Sequence, residues 1–226
     1  EMVLNNQNRN NSQRLFGDVY VLIEPIKGLR FRSSVGVNLT NNESRSFSPI
    51  YKLSIYSFNN NTRVSQSMGR GRSIQFDNLL SYSFNLKTDH NFEVMAGSST
   101  VRSKGSGMLG SNRDLIFADL RHAWLTNATN TDGTNITLNG SPYEDVLLSY
   151  FGRLQYNFDE KYLFNATIRA DGSSKFAPGH RWGYFPSVSA GWVATREDFM
   201  NDVAWLNFFK LRASWGQIGN QNIAGY

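Results

Sequence analysis

The sequence predicts an all-β fold of antiparallel, up-and-down strands, about eight of them. Three observations carry this. Apolar and polar residues alternate with period two over most of the 226 residues. The connections between the alternating runs are by turns short and long. No run of about 18 apolar residues occurs, which excludes a membrane-spanning helix but not a barrel strand, where every second residue suffices.

Each strand follows from its own alternation, because successive side chains of a strand point to opposite faces. The first two runs are a weaker one over roughly 16–26 and a clear one over 29–40. In the latter Leu29, Phe31, Val35, Val37 and Leu39 oppose Arg30, Arg32, Ser34, Asn38 and Thr40. Over 73–86, Ile74, Phe76, Leu80, Tyr82, Phe84 and Leu86 oppose Ser73, Gln75, Asp77, Ser81, Ser83 and Asn85. A second weak strand covers roughly 91–102. Over 147–158, Leu148, Tyr150, Leu154, Tyr156 and Phe158 oppose Ser149, Arg153, Gln155 and Asn157. Over 162–171, Tyr162, Phe164, Ala166, Ile168 and Ala170 oppose Asn165, Thr167, Arg169 and Asp171. The last two strands run over 186–195 and 209–216, with Pro186 near a strand start, where its missing N–H is tolerable.

Lys27-Gly28, "KTDH" (87–90) and "DEK" (159–161) read as short turns. Residues 41–72 and 103–145 read as long polar loops, and 172–183 as a loop of medium length. Residues 196–207 predict a short helical turn. Strands of about ten to fourteen residues are long beside the usual five or six, and about ten tilted residues span a bilayer. Strand length, loop asymmetry and aromatics near strand ends favour a transmembrane barrel. A soluble β-sandwich also alternates, and periodicity does not say which face is wet.

The composition narrows the functions. There is no cysteine, which excludes disulfides, thiolate metal sites and cysteine nucleophiles. The net charge of +5 is a mild basic excess. Arg70 and Arg72 in "RGRS" fit a solvated loop end better than a nucleic-acid site. "GSGMLG" (105–110) matches a dinucleotide fingerprint, but no amphipathic helix follows it. His90, His122 and His180 lack metal-ligand spacing. "NTDGTN" (130–135) has the oxygen-rich look of a calcium loop without its closing glutamate. Asp159 and Glu160 read as a turn rather than an acid–base pair. Neither G-x-S-x-G nor H-E-x-x-H occurs, so an enzyme is not expected, and no cofactor is implied. Glu1 opens into "EMVLNNQNRNN" without a signal-peptide pattern, and the chain reads as part of a longer one.

Longer stretches carry a resemblance. "YLFNATIRADGSSKFAPGHRWGYFPSVSAGW" (162–192), "EDFM" (197–200) and "WLNFFKLRASWGQIGNQNIAGY" (205–226) closely resemble the barrel of SusC-family (RagA-like) TonB-dependent transporters. "GDVYVLIEPIKGLRFRSSVGVN" (17–38) and "LLSYFGRLQYNFDEKYLFNATIRADGSSKF" (147–176) match it as well. The resemblance spans roughly 15–226, with gaps at 41–72 and 103–145. It implies a location in the bacterial outer membrane and a barrel of about 22 strands closed by an N-terminal plug. It also implies a SusD-like surface lipoprotein, TonB acting through the plug, and a glycan or peptide ligand. Residues 1–226 would then be a part of the barrel domain, without the plug and the remaining strands, bounded by outer-membrane lipid.

Sugar-binding surfaces use aromatic platforms with polar neighbours. This makes Trp124, Tyr143 and Trp182, in the long loops, and Arg169 and Asp171, on the polar face, the candidate ligand-binding residues. Two other readings stand beside transport of oligosaccharides or peptides. One is a soluble or surface-exposed structural or adhesive β-sheet protein that binds without transporting. The other is a siderophore or vitamin receptor of the same barrel class.

Overall fold

The computed structural model describes residues 7–201, 203 and 205–221. Ten strands follow the chain: β1 (Gln7–Ile26), β2 (Leu29–Ser48), β3 (Tyr51–Lys52), β4 (Phe58–Asn59), β5 (Arg63–Leu86), β6 (His90–Arg113), β7 (Thr137–Phe158), β8 (Tyr162–Ser173), β9 (Trp182–Val193) and β10 (Lys210–Gly216). Eight form one sheet in the order β1-β2-β5-β6-β7-β8-β9-β10, and β3 and β4 pair as a minor ribbon. The expected up-and-down sheet of about eight strands is what the chain forms.

Five strands are much longer than their hydrophobic alternation. β5 and β6 have 24 residues each, β7 has 22, and β1 and β2 have 20 each. Residues 41–48, 63–72, 103–113 and 137–145, expected in loops, are therefore strand. Their Ser, Asn, Gly and Thr side chains are polar on both faces, so no periodicity marks them. Cross-strand polar pairs link these extensions where apolar burial does not: Ser12 Oγ donates to Asn42 Oδ1 and Ser44 Oγ to Asn10 Oδ1, both at 2.7 Å. Of the two expected long loops, 49–62 and 114–136 remain outside the eight-stranded sheet, and the connection 194–209 between β9 and β10 is of similar length. The expected helical turn after β9 is a pair of 3₁₀ turns, Ala194–Arg196 and Asp198–Met200. Pro186 lies inside β9 opposite Ile168, not at its start. It is tolerated there because the β9–β10 ladder ends one residue on, at Ser187–Gly216.

Two compact units divide the chain. The first comprises residues up to Gly17, Val37–Ser73 and Ser103–Glu144. It has a small core of Phe47, Val64 and Ala123, packed by Leu115, Leu120, Leu125 and Ala128. Loop 114–136 is tied within this unit. Arg113 Nη2 donates to Asp132 Oδ2 (2.6 Å) and Thr134 Oγ1 (2.9 Å), while Thr134 N donates to Asp132 Oδ1 (2.8 Å). "NTDGTN" is thus a turn closed by a guanidinium.

The second unit comprises Asp18–Gly36, Ile74–Arg102 and Asp145 onward. One face of its strands is apolar and exposed: Phe31, Phe76, Leu80, Tyr82, Tyr150 and Phe164 lie between 36% and 52% exposed. Rings meet along it across strands: Phe84 stacks on Phe92 at 5.2 Å, and Phe92 meets Tyr156 in a tilted contact at 4.7 Å between centroids. The unit's tight turns require unusual backbone. Gly28 has φ 85°, and a Cβ there would enter the carbonyl oxygen of Ser83, whose N–H donates to Gly28 O. Asp159 and Glu160 both adopt left-handed φ, 47° and 53°, which confirms the turn expected of them.

Candidate ligand-facing surface

The polar face of the second unit holds its side chains in a fixed order. In β8 Asn165, Thr167, Arg169 and Asp171 alternate with the apolar set, and the register places Ser149 opposite Asp171 and Phe151 opposite Arg169. Arg169 Nε donates to both carboxylate oxygens of Asp171, at 2.8 and 2.9 Å, and Nη2 donates to Ser149 Oγ at 3.0 Å. Ser149 is only 1% exposed. The Arg169 guanidinium carbon stands 5.6 Å from the centre of the Phe151 ring. That ring lies over Gly97, where a Cβ would approach it to 2.7 Å, so the close approach requires glycine. Thr167, Arg169, Asp171, Phe185 and Ser187 border an open groove of about 640 Å³. The arrangement offers a carboxylate, a guanidinium with donors left over, hydroxyls and ring faces, which suits a neutral or zwitterionic polar ligand.

Tyr143 belongs to β7 and not to a loop as expected, and it sits in the first unit. Its ring covers Gly105, and its hydroxyl would lie 3.1 Å from a Cβ on Gly71. It borders a groove with Asn38, Thr40, Ser73 and Ser103. Tyr143 therefore shares the polar face of that unit, 51% exposed.

The two tryptophans lie elsewhere. Trp182 opens β9 opposite Gly172 and stacks on Tyr150, with ring centres 6.1 Å apart and planes 17° from parallel. That is the apolar face, opposite to Arg169 and Asp171, although Trp182 and Asp171 both border a pocket of about 390 Å³ with Phe176, His180 and Phe185. Register sets the face: Trp182 pairs with an even-numbered position of β8 and the polar residues are odd. Trp124 lies in loop 114–136 beside the core of the first unit. Its ring carries the Arg45 guanidinium at 4.0 Å, and its Nε1 donates to Arg121 O. Arg45 and Phe47 alternate with Ser44, which bonds across the polar face, so Trp124 too is on the apolar side. Arg45 is 6% exposed, with Nη1 lacking a hydrogen-bond partner among the described residues.

Sequence reasoning missed Phe151 and Phe185. Both break the alternation by placing a ring at a polar position. The linear signal is that break alone, since the glycine beneath Phe151 lies on another strand. Among the described residues no group of three or more His, Asp or Glu could hold a metal. Outside the spanning strands, Asp119 and Asp132 titrate below the usual carboxylate range. The first does so chiefly through the hydrogen bond from the His122 side chain, the second chiefly through that from the Thr134 side chain.

A sheet of long antiparallel strands, exposed and aromatic on one side and polar on the other, defines a piece of transmembrane barrel wall. No protein-family model matches the chain. The TonB-dependent receptor P39 of Formosa agariphila is 30% identical over 98% of the chain and 20% of its own length. The TonB-dependent receptor SusC of Bacteroides thetaiotaomicron is 51% identical over 35% of the chain and 8% of its own length. Structures of the RagAB peptide importer superpose with a TM-score of 0.79 in the closed-closed state and 0.80 in the open-open state. They cover 99% of this chain and 24% of theirs, at 23% and 24% identity. The chain belongs to the SusC family of TonB-dependent receptors and spans about a fifth of the length of the curated relatives it matches over nearly all of its own length. These relatives are receptors and an importer rather than enzymes, in line with a sequence that carries no catalytic motif.

Proposed function

We propose that this chain forms part of the wall of an outer-membrane TonB-dependent transporter that imports oligosaccharides or peptides together with a SusD-like surface lipoprotein. Residues 1–226 belong to its barrel domain, and the plug through which TonB acts lies outside them. The observation that supports this best is the two-faced sheet. Its apolar face suits lipid, and its polar face carries Arg169 and Asp171, pre-ordered by Ser149 and Phe151. Fixing a charged pair before the ligand arrives lowers the ordering cost of binding.

Tyr143, Arg169 and Asp171 are the ligand-facing residues in this reading, and Trp182 faces lipid. The test is uptake by the full-length protein, with labelled oligosaccharide and labelled peptide offered separately. Arg169→Ala and Tyr143→Ala lower uptake of one of them, while Trp182→Ala leaves it at the wild-type rate. Uptake that is lost in Trp182→Ala and kept in the other two overturns the assignment of faces. Co-purification of a SusD-like lipoprotein from outer membranes tests the partner, and its absence in a transport-competent preparation removes it.

A further inference from the structure

The first unit carries basic side chains on the wrong side of the sheet for a water-filled lumen. Gly71 of β5 and Gly105 of β6 both look onto the Tyr143 ring, and Ser103 Oγ donates to Ser73 Oγ at 3.2 Å. Ser73 therefore faces Ser103 across the two strands, and Gly71 faces Gly105, all on the polar side. Alternation then sends Arg70, Arg72 and Lys104 to the opposite side, with Arg72 across from Lys104. Lys104 Nζ lies 2.8 Å from Glu144, which places that carboxylate on the same side.

On β5 this side reads Leu86, Phe84, Tyr82, Leu80, Asn78, Phe76 and Ile74, and then Arg72 and Arg70. From Leu86 to Ile74 a strand tilted by roughly 45° climbs about 28 Å, close to the apolar height of an outer-membrane barrel. Along β5, Arg72 and Arg70 follow Ile74 on the same strand face, toward the end from which the connection 49–62 enters. Both guanidiniums are exposed, and neither has a hydrogen-bond or ion-pair partner among the described residues. Water would solvate such groups anywhere. Arg70, Arg72 and Lys104, with Arg102 two residues from Lys104 on the same face of β6, outnumber the Glu144 carboxylate on neighbouring strands about 4.8 Å apart, and such a cluster matches a phosphate-bearing headgroup.

We infer that Arg70, Arg72 and Lys104 bind the phosphate of an anionic lipid headgroup in the leaflet nearest the long loops. The inference rests on the transmembrane reading. Arg70 and Arg72 grip the phosphate through paired N–H donors, and Lys104, held by Glu144, adds a point charge beside them.

The test uses the full-length receptor carrying this chain, reconstituted into nanodiscs of equimolar phosphatidylglycerol and phosphatidylcholine, with retained lipid counted by native mass spectrometry. The wild type retains phosphatidylglycerol over phosphatidylcholine. Each guanidinium removed lowers that preference about fivefold, so Arg70→Gln with Arg72→Gln abolishes most of it. Ser73→Ala with Ser103→Ala, on the other face, leaves it intact. An equal preference in wild type and the Arg70, Arg72 double variant overturns the inference. So does inorganic phosphate that displaces the lipid at equal concentration, because the site would then read free anion. Failure of the wild type to enter nanodiscs at all would count against the transmembrane reading, whereas entry without lipid preference sinks this inference alone.

Discussion

Arg169 is held at four points, by both oxygens of Asp171, by Ser149 and by the ring of Phe151. Replacing Asp171 with Asn halves the charge-assisted grip and frees the guanidinium without a change of shape. Asp171→Asn is therefore expected to weaken ligand retention by roughly tenfold, about 1.4 kcal/mol, in a binding titration of the full-length receptor. Gly28 is a second residue whose chemistry is fixed by geometry. Gly28→Ala forces a Cβ into Ser83 O at positive φ and costs about 1–2 kcal/mol. It should appear as a lower urea midpoint for the reconstituted protein.

The pH response belongs to the same scale. Asp119 and Asp132 titrate lower when the loop is formed than when it is not. Their hydrogen bonds thus add stability that is fully present above the ordinary carboxylate range. That stability is lost as pH falls through the lowered values. Amide exchange in loop 114–136 should accelerate on acidification below that range. Asp132→Asn should remove much of the response at 130–134 and leave that around Asp119.

At the scale of elements, strands whose faces differ in polarity were legible, and strands polar on both faces were not. β8 was readable almost to its ends because Ile168 and Ala170 alternate with Arg169 and Asp171. The outer halves of β5, β6 and β7 carry residues such as Ser65, Ser67, Ser103 and Ser106, which give no period to find. Their pairing is set by backbone ladders and by cross-strand contacts such as that of Ser103 with Ser73, information spread over distant positions. The same limit explains the candidate site. Arg169 and Asp171 were legible by parity, while the face of Trp182 depended on where β9 begins.

The turn after β9 is anchored by a specific element contact: Glu197 accepts from Tyr162 Oη at 2.6 Å and from Trp192 Nε1 at 2.9 Å. Glu197→Gln should leave the strands in place and raise the local exchange rate at 194–200, measured against an unchanged signal from β8. Equal exchange in the two proteins would mean that the anchor is idle.

For the whole molecule, the strand order matters more than any side chain. β1 and β10 stand at the two ends of the sheet, so each has an edge that the rest of the sheet leaves unpaired. Together with the exposed apolar face, such edges invite aggregation in water. Residues 1–226 expressed alone in aqueous buffer should aggregate or stay unfolded, as size-exclusion chromatography would report. A monodisperse, protease-resistant monomer would refute the lipid-facing assignment of the sheet.

The tight turn at Gly28 and those at 87–89 and 159–161 follow the first, third and fifth members of the up-and-down series, and 49–62, 114–136 and 174–181 follow the second, fourth and sixth, whereas 194–209, after the seventh, is long and partly 3₁₀. Polarity across the membrane therefore alternates strictly with strand number. Loss or duplication of a single strand would carry every later loop to the other side, presenting a long, polar connection where a tight turn belongs. Lineages of such walls can thus grow or shrink only by whole hairpins, so strand count is inherited in steps of two while loop length drifts freely.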